Sequence, residues 1–305
     1  MKRPEYSVAA LRAFVEEKLG VRLVRFEQIT ECSRPENFRV RTEHGVRYVV
    51  KCVPPEKSNA QYFRNHFLPH LQELREQEFV VQLVHGPFAF GDCIVVVLGW
   101  CSGRRVWPDQ LTDGQFANLV AAYRKFSAVI QGSSAVLPPR DNLAVRREVL
   151  ASLVSPPCAR LRRFVETVLT EEMLTYDPAR LRVIHGDLHH GNIHFDGDQL
   201  AGIMDLEDFR YGYPADDWMR YIICAAEHLP WFSVVRRRRL LARVKELLPQ
   251  APADEWREAV GGLLIRKIWR RFCVKKISAW WLAVNFQFRL SFYREILSLI
   301  DNYAE

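Results

Sequence analysis

The chain has 305 residues, 49% hydrophobic and 26% charged, with 15 Gly and 16 Pro. At roughly 150 residues per domain, this length predicts two lobes whose core needs no disulfide staples, and the composition excludes disordered, collagen-like and low-complexity chains. The formal charge is +7, but residues 231–305 hold 15 Lys/Arg against 7 Asp/Glu, so the excess is C-terminal and implies either anionic partners or a solvated basic helix face.

Met1-Lys2-Arg3 opens the chain, but Arg12, Glu16, Glu17 and Lys18 interrupt what would be the apolar core of a secretory signal, so residues 6–19 are expected to form an amphipathic helix. Residues 23–29, 38–42 and 46–53 alternate or run apolar around polar turns, the pattern of short antiparallel strands, with Glu43-His44-Gly45 as a hairpin turn. A helix is predicted over 58–76 despite Pro69, then strands near 79–84 and at 93–98. Gly99-Trp100-Cys101-Ser102-Gly103 breaks this five-strand block, and most of the chain from there to its end reads as helical. The exception is 181–208, where residues 192–195 and 199–204 flank Asp196-Gly197-Asp198 as a hairpin does. No run reaches the roughly 20 apolar residues of a membrane helix. The seven cysteines are odd in number and include no Cys-x-x-Cys pair, so they read as core thiols of a cytoplasmic protein.

The chemistry concentrates in His185-Gly186-Asp187-Leu188-His189-His190-Gly191-Asn192 and in Asp205-Leu206-Glu207-Asp208 beyond the hairpin. Phosphoryl transfer needs one carboxylate to orient the acceptor hydroxyl and receive its proton, while an amide oxygen and a second carboxylate hold Mg²⁺ on the triphosphate. Asp187 and Asn192 keep the kinase catalytic-loop spacing. Turn residues and strand-end caps do not require this combination. The four histidines at 185, 189, 190 and 194 tempt a zinc reading, but Gly186 and Gly191 argue for a loop, in which His189 or His190 lines the acceptor site.

The stretch 185–221 resembles the aminoglycoside phosphotransferase and choline kinase superfamily. Residues 185–193 are similar to its H-G-D-x-x-x-x-N loop, Ile203-Met204-Asp205 to its metal segment, and Pro214-Ala215-Asp216-Asp217-Trp218 to its P-A-x-D-L element. The resemblance implies an α+β, bilobal protein-kinase-like fold: a nucleotide-clamping antiparallel-sheet N-lobe (1–98), a hinge (99–103) and a mainly helical C-lobe (104–305) with the acceptor site. It implies Asp187 as catalytic base, Asn192 and Asp205 as Mg²⁺ ligands, and His185 and Asp217 as supports of the loop. Lys51, between Val50 and Cys52, would reach the α- and β-phosphates of ATP or GTP; the competing reading is an edge-strand lysine facing solvent. The backbone of Gly99 to Cys101 would hold the base.

Two departures stand out. The phosphate-covering turn, residues 30–37, has no Gly and carries Pro35, so Ser33 or Arg34 would substitute. A Glu about 15 residues after Lys51 is missing, the region reading Arg64-Asn65-His66-Phe67. The expected activity is Mg-dependent transfer of a nucleotide γ-phosphate to a hydroxyl of a small neutral or anionic molecule, a sugar or glycan precursor, with Arg236–Arg239 or residues 266–271 contacting it. The alternatives are a pseudokinase that binds nucleotide without turnover, an aminoglycoside or choline kinase with Trp280 and Trp281 as an aromatic cage, and a nucleic-acid or anionic-surface binding module. The carboxylate pattern and the lack of short RNA-binding motifs disfavour the last. Four successive arginines sweep about 300° of a helix, so at least one of 236–239 is expected to meet a partner.

Overall fold

The computed structural model describes residues 6–29, 37–53, 83–131, 139–154, 158–228, 233–270 and 279–304. They fall into two compact units, one within residues 1–104, 121–135 and 194–207, the other within 105–120, 136–193 and 208–305.

The first unit is built on a five-stranded antiparallel sheet. Helix α1 (Val8–Leu19) starts at Ser7, whose Oγ accepts from Ala10 N at 3.0 Å. The strands β1 (Leu23–Gln28), β2 (Asn37–Thr42), β3 (Arg47–Val53), β4 (Leu83–Phe90) and β5 (Cys93–Gly99) lie in the order β1-β2-β3-β5-β4. Leu11 and Val15 of α1 join a core with Phe38, Val40, Val50, Cys52, Val95 and Val97. The alternate residues Ile94 and Val96 are buried too, so β5 has both faces covered and reads as one apolar run.

Of the strand expected near 79–84, residues 79–82 lie outside the described residues, and the described strand β4 runs from Leu83 to Phe90, beyond the expected end. Gly86-Pro87 looks like a chain breaker in sequence, but the register against β5 shifts between Leu83 and His85 and again between His85 and Phe88. Such irregularities let a strand carry Gly and Pro. The helix predicted over 58–76 lies outside the described residues, as does the segment 64–67.

The second unit is mainly helical. After β6 (Arg104–Arg105), the helices are α2 (Asp113–Ile130), α3 (Asn142–Ser152), α4 (Ala159–Thr167), α5 (Pro214–His228), α6 (Val234–Leu247), α7 (Ala253–Trp269) and α8 (Ala279–Ala304). Helix α7 is its hub, burying Trp256, Val260, Leu264, Ile265 and Ile268 and packing on α3, α5 and α8. The stripe of Ile265 and Ile268 is thus core. Strands β7 (Arg182–Ile184) and β10 (Arg210–Gly212) pair antiparallel, with Ile184 opposite Arg210. The expected hairpin, which from His194 onward belongs to the first unit, forms as β8 (Ile193–Asp196) and β9 (Gln199–Ile203), in the sheet order β6-β8-β9. Among the described residues no helix is long and apolar enough to cross a membrane.

Gly103 closes the interruption after β5 with φ 83°, and a Cβ there would stand 2.3 Å from the Phe195 carbonyl oxygen. Gly103→Ala should therefore lose about 2 kcal/mol or more through left-handed strain and this clash, read as a lower denaturant midpoint at unchanged slope.

Candidate active site

The loop 185–192 is pinned at its start. Asp217 lies in the first turn of α5, 1% exposed, where the helix dipole favours a carboxylate. Its Oδ2 accepts from His185 N at 2.7 Å and its Oδ1 from Gly186 N at 2.9 Å. Gly186 then adopts φ 77° so close to Asp208 that a Cβ would meet that carbonyl oxygen at 2.0 Å. Only glycine turns the chain here. His185 is buried, and its Nδ1 accepts from Asp187 N at 3.2 Å. At the far end, Asn192 Nδ2 donates to the Asp187 carbonyl at 3.0 Å. Asp187 and Asn192 are thus tied together within one loop.

The Asp187 carboxylate accepts a hydrogen bond from Arg220 Nη2, and His189 Nε2 lies 3.8 Å away. Burial works against the Arg220 charge, but Asp187 and other nearby acidic groups hold its pKa above the usual value. Arg220 was not among the residues expected from sequence, nor were Arg140 and Arg210. All three line a cleft with Arg266, Tyr176, Asp216 and the loop's Gly186. The one sequence signal was the spacing of Asp217 and Arg220, three apart on α5 and so on one helix face.

His190 stacks on Trp107, ring centroids 3.5 Å apart, and His228 lies 5.3 Å from the same indole. Burial, then repulsion from His189 and His228, push the His190 pKa down to about 4, which keeps the ring neutral. Within the arginine run, Arg236 pairs with buried Asp109 and Arg237 with Glu295 at 2.7 Å, while Arg238 and Arg239 are exposed. The expectation that one of the four meets a carboxylate holds. Arg266, from the second basic stretch, does reach the cleft. The side chains of Trp280 and Trp281 lie outside the described residues.

The first unit carries the other half of the predicted set. Lys51 sits on β3 opposite Asn37 of β2 and Val96 of β5, so its strand is internal and the edge-strand reading fails. The residue is 7% exposed, and its Nζ is 3.1 Å from Asp205 Oδ1. Asp205 follows β9 with φ 62°, the one non-glycine residue with positive φ among the described residues. Asp tolerates this region better than most residues, at a cost of about 1–2 kcal/mol. Gly99 ends β5 opposite Tyr48, and beyond it the Trp100 ring receives the guanidinium groups of Arg39 and Arg47 at 5.1 and 5.2 Å. Cys101 is half-buried, and burial pushes its thiol up to about 11, so it stays protonated. Ser33 and Arg34 lie outside the described residues.

An antiparallel-sheet N-lobe and a mainly helical C-lobe define a protein-kinase-like phosphotransferase fold. Residues 25–247 match the APH phosphotransferase enzyme family, and the chain belongs to that family as a small-molecule kinase. Its structure is similar to the GDP complex of aminoglycoside 2'-phosphotransferase-IIIa (15% identity, 97% of this chain and 98% of that one, TM-score 0.60). It is also similar to an aminoglycoside phosphotransferase from Alicyclobacillus acidocaldarius (15%, 99% and 98%, 0.56) and to an amicoumacin kinase in complex with AMP-PNP and Ca²⁺ (15%, 95% and 93%, 0.54). No curated protein matches the sequence.

Asp217→Asn turns an acceptor into an amide that can accept at only one of its two positions, leaving a buried N–H without its bond. We expect about 2 kcal/mol or more of lost stability, with faster amide exchange at His185 and Gly186 by NMR.

Proposed function

We propose that the enzyme moves the γ-phosphate of ATP or GTP to a hydroxyl of a small neutral or anionic molecule such as a sugar or glycan precursor. The observation that carries this reading is the loop in which Asp217 pins His185 and Gly186 while Asn192 ties back to Asp187. In this reading Asp187 orients the acceptor hydroxyl and takes its proton. The hydroxyl oxygen bonds to the γ-phosphorus, the bond from that phosphorus to the β–γ bridging oxygen breaks, and a nucleoside diphosphate leaves.

Residues 1–98 are assigned to the nucleotide lobe, 99–103 to the hinge and 104–305 to the lobe of the acceptor. Lys51 serves the α- and β-phosphates, Ser33 and Arg34 the phosphate turn, and the backbone of Gly99 and Cys101 the base. Asn192 and Asp205 are assigned to Mg²⁺. The donor chemistry fits a hard cation: Asn192 commits its Nδ2 to Asp187, which turns its oxygen to acceptor duty, and Asp205 supplies a carboxylate. When bound, the ion neutralises charge on the phosphates.

An aminoglycoside kinase is the reading suggested by what the structural neighbours act on, but polycationic substrates need carboxylates, and the C-terminal region is rich in Lys and Arg. The Gly-free turn with Pro35 favours a second reading, a pseudokinase with weak nucleotide binding.

Asp187→Asn and Asp205→Asn should each yield folded protein with turnover lowered on the order of 100-fold or more, measured by ADP release across aminoglycosides, choline, neutral sugars and acidic sugars. Turnover of none by the wild type would favour the pseudokinase. Asp205→Asn and Lys51→Ala should also weaken Mg·ATP binding in calorimetry. Unchanged affinity in either variant removes that residue from the nucleotide site.

A further inference from the structure

Beside Gly186 lies a cleft of about 320 Å³, open to solvent. Four arginines from four separate segments converge on it: Arg140 before α3, Arg210 on β10, Arg220 on α5 and Arg266 on α7. Gathering guanidinium groups costs repulsion, and the acidic groups nearby relieve it incompletely. One carboxylate, Asp208, serves two of them, with Arg140 Nη2 at 3.3 Å and Arg210 Nη2 at 2.5 Å. Arg266 Nη1 donates to the neutral Asn142 Oδ1 at 2.6 Å, while its nearest approach to Asp216 is 3.9 Å. Asp216 is itself buried and already accepts from Tyr176 Oη and Tyr213 N. The Nε groups of Arg220 and Arg266 are buried without a hydrogen-bond partner.

The electrostatics agree with this arrangement. Burial, then repulsion from Arg210 and Arg266, holds the Arg140 pKa below its usual value. An arginine does not surrender its proton near neutral pH, so the shift reports burial first and, after it, the positive potential of its neighbours. Guanidinium groups with spare N–H donors recognise carboxylate and phosphate oxygens in two-pronged fashion.

We propose that this cleft seats an oxyanion, a phosphate or carboxylate group, carried by the acceptor. The inference rests on the reading of Asp187 as the base, and it narrows the acceptor from neutral or anionic to anionic. Arg220 holds Oδ1 of Asp187, one of the two carboxylate oxygens that an acceptor hydroxyl can approach, and His189 Nε2 lies 3.8 Å from the other. An anionic group in the cleft draws Arg220 to itself and releases Asp187 to the hydroxyl, so one substrate both fills the cleft and exposes the base. A neutral or cationic molecule does neither.

The test is calorimetric titration of the full chain with inorganic phosphate at low ionic strength without nucleotide, followed by ADP-release assays on a sugar phosphate, a sugar acid and the neutral parent sugar. We expect saturable phosphate binding in the wild type, weakened 10-fold or more by Arg266→Gln and by Arg140→Gln with Mg·ATP affinity unchanged. Arg266→Lys, which keeps the charge but loses the fork, should bind several-fold more weakly than wild type and covers a failure of Arg266→Gln to fold. The faster of the sugar phosphate and the sugar acid identifies the group. Absence of phosphate binding by the wild type, equal binding in all variants, or a neutral sugar turned over as fast as the anionic ones overturns the proposal. Phosphate binding lost in the arginine variants while Asp187→Asn retains full turnover would sustain the anion seat and reject the role of Asp187.

Discussion

The buried carboxylate of Asp217 is the fixed point from which the candidate site is built. A carboxylate this far from water is tolerable only if its oxygens are satisfied, and two backbone N–H groups plus the first turn of a helix do so. Because those donors are consecutive, the bond pair fixes the direction in which the chain leaves β7. Gly186 then turns against Asp208, and Asp187 follows in a set orientation. Helix α5 supplies both the anchor and, one turn later, Arg220, so loop and counter-ion are positioned by one rigid element.

The Asp187–Arg220 pair has a chemical consequence. In phosphoryl transfer most of the catalysis is positioning and charge stabilisation rather than strong proton abstraction. In the proposed reading the hydroxyl must reach the Asp187 carboxylate, so Arg220, which holds one of its oxygens, has to share or release it.

The parts that were legible in the sequence are those that one short segment encodes. The 185–192 loop, the Asp196-Gly197-Asp198 hairpin and the buried run of β5 each carry their signal within one short segment. The placement of Lys51 on an apolar strand was equally readable, though its partner Asp205 lies 154 residues away. The continuation of β4 past residue 84 was not legible because Gly86-Pro87 has the chemistry of a break, and only the neighbouring β5 makes a strand there worthwhile. Strand β10 has three residues, too few for periodicity to show. The arginine cleft was invisible for a different reason: Arg140, Arg210, Arg220 and Arg266 each look like ordinary solvated charges, and only the fold brings them together.

The run 236–239 carries a dense local signal whose partners lie far away in sequence. Arg236 has its partner 127 residues earlier in Asp109, and Arg237 has Glu295. The same dispersal applies to Arg257 with Asp301 and Lys267 with Glu227. A net excess of positive residues in the last quarter of the chain therefore does not describe the charge that a ligand meets. Exposed charges act through water and salt, which screen them over about 8–10 Å at physiological ionic strength, so they shape encounter more than fit. The partly buried guanidinium groups of the cleft are less screened and act over hydrogen-bond distances, so in the proposed reading selection among acceptors falls to them.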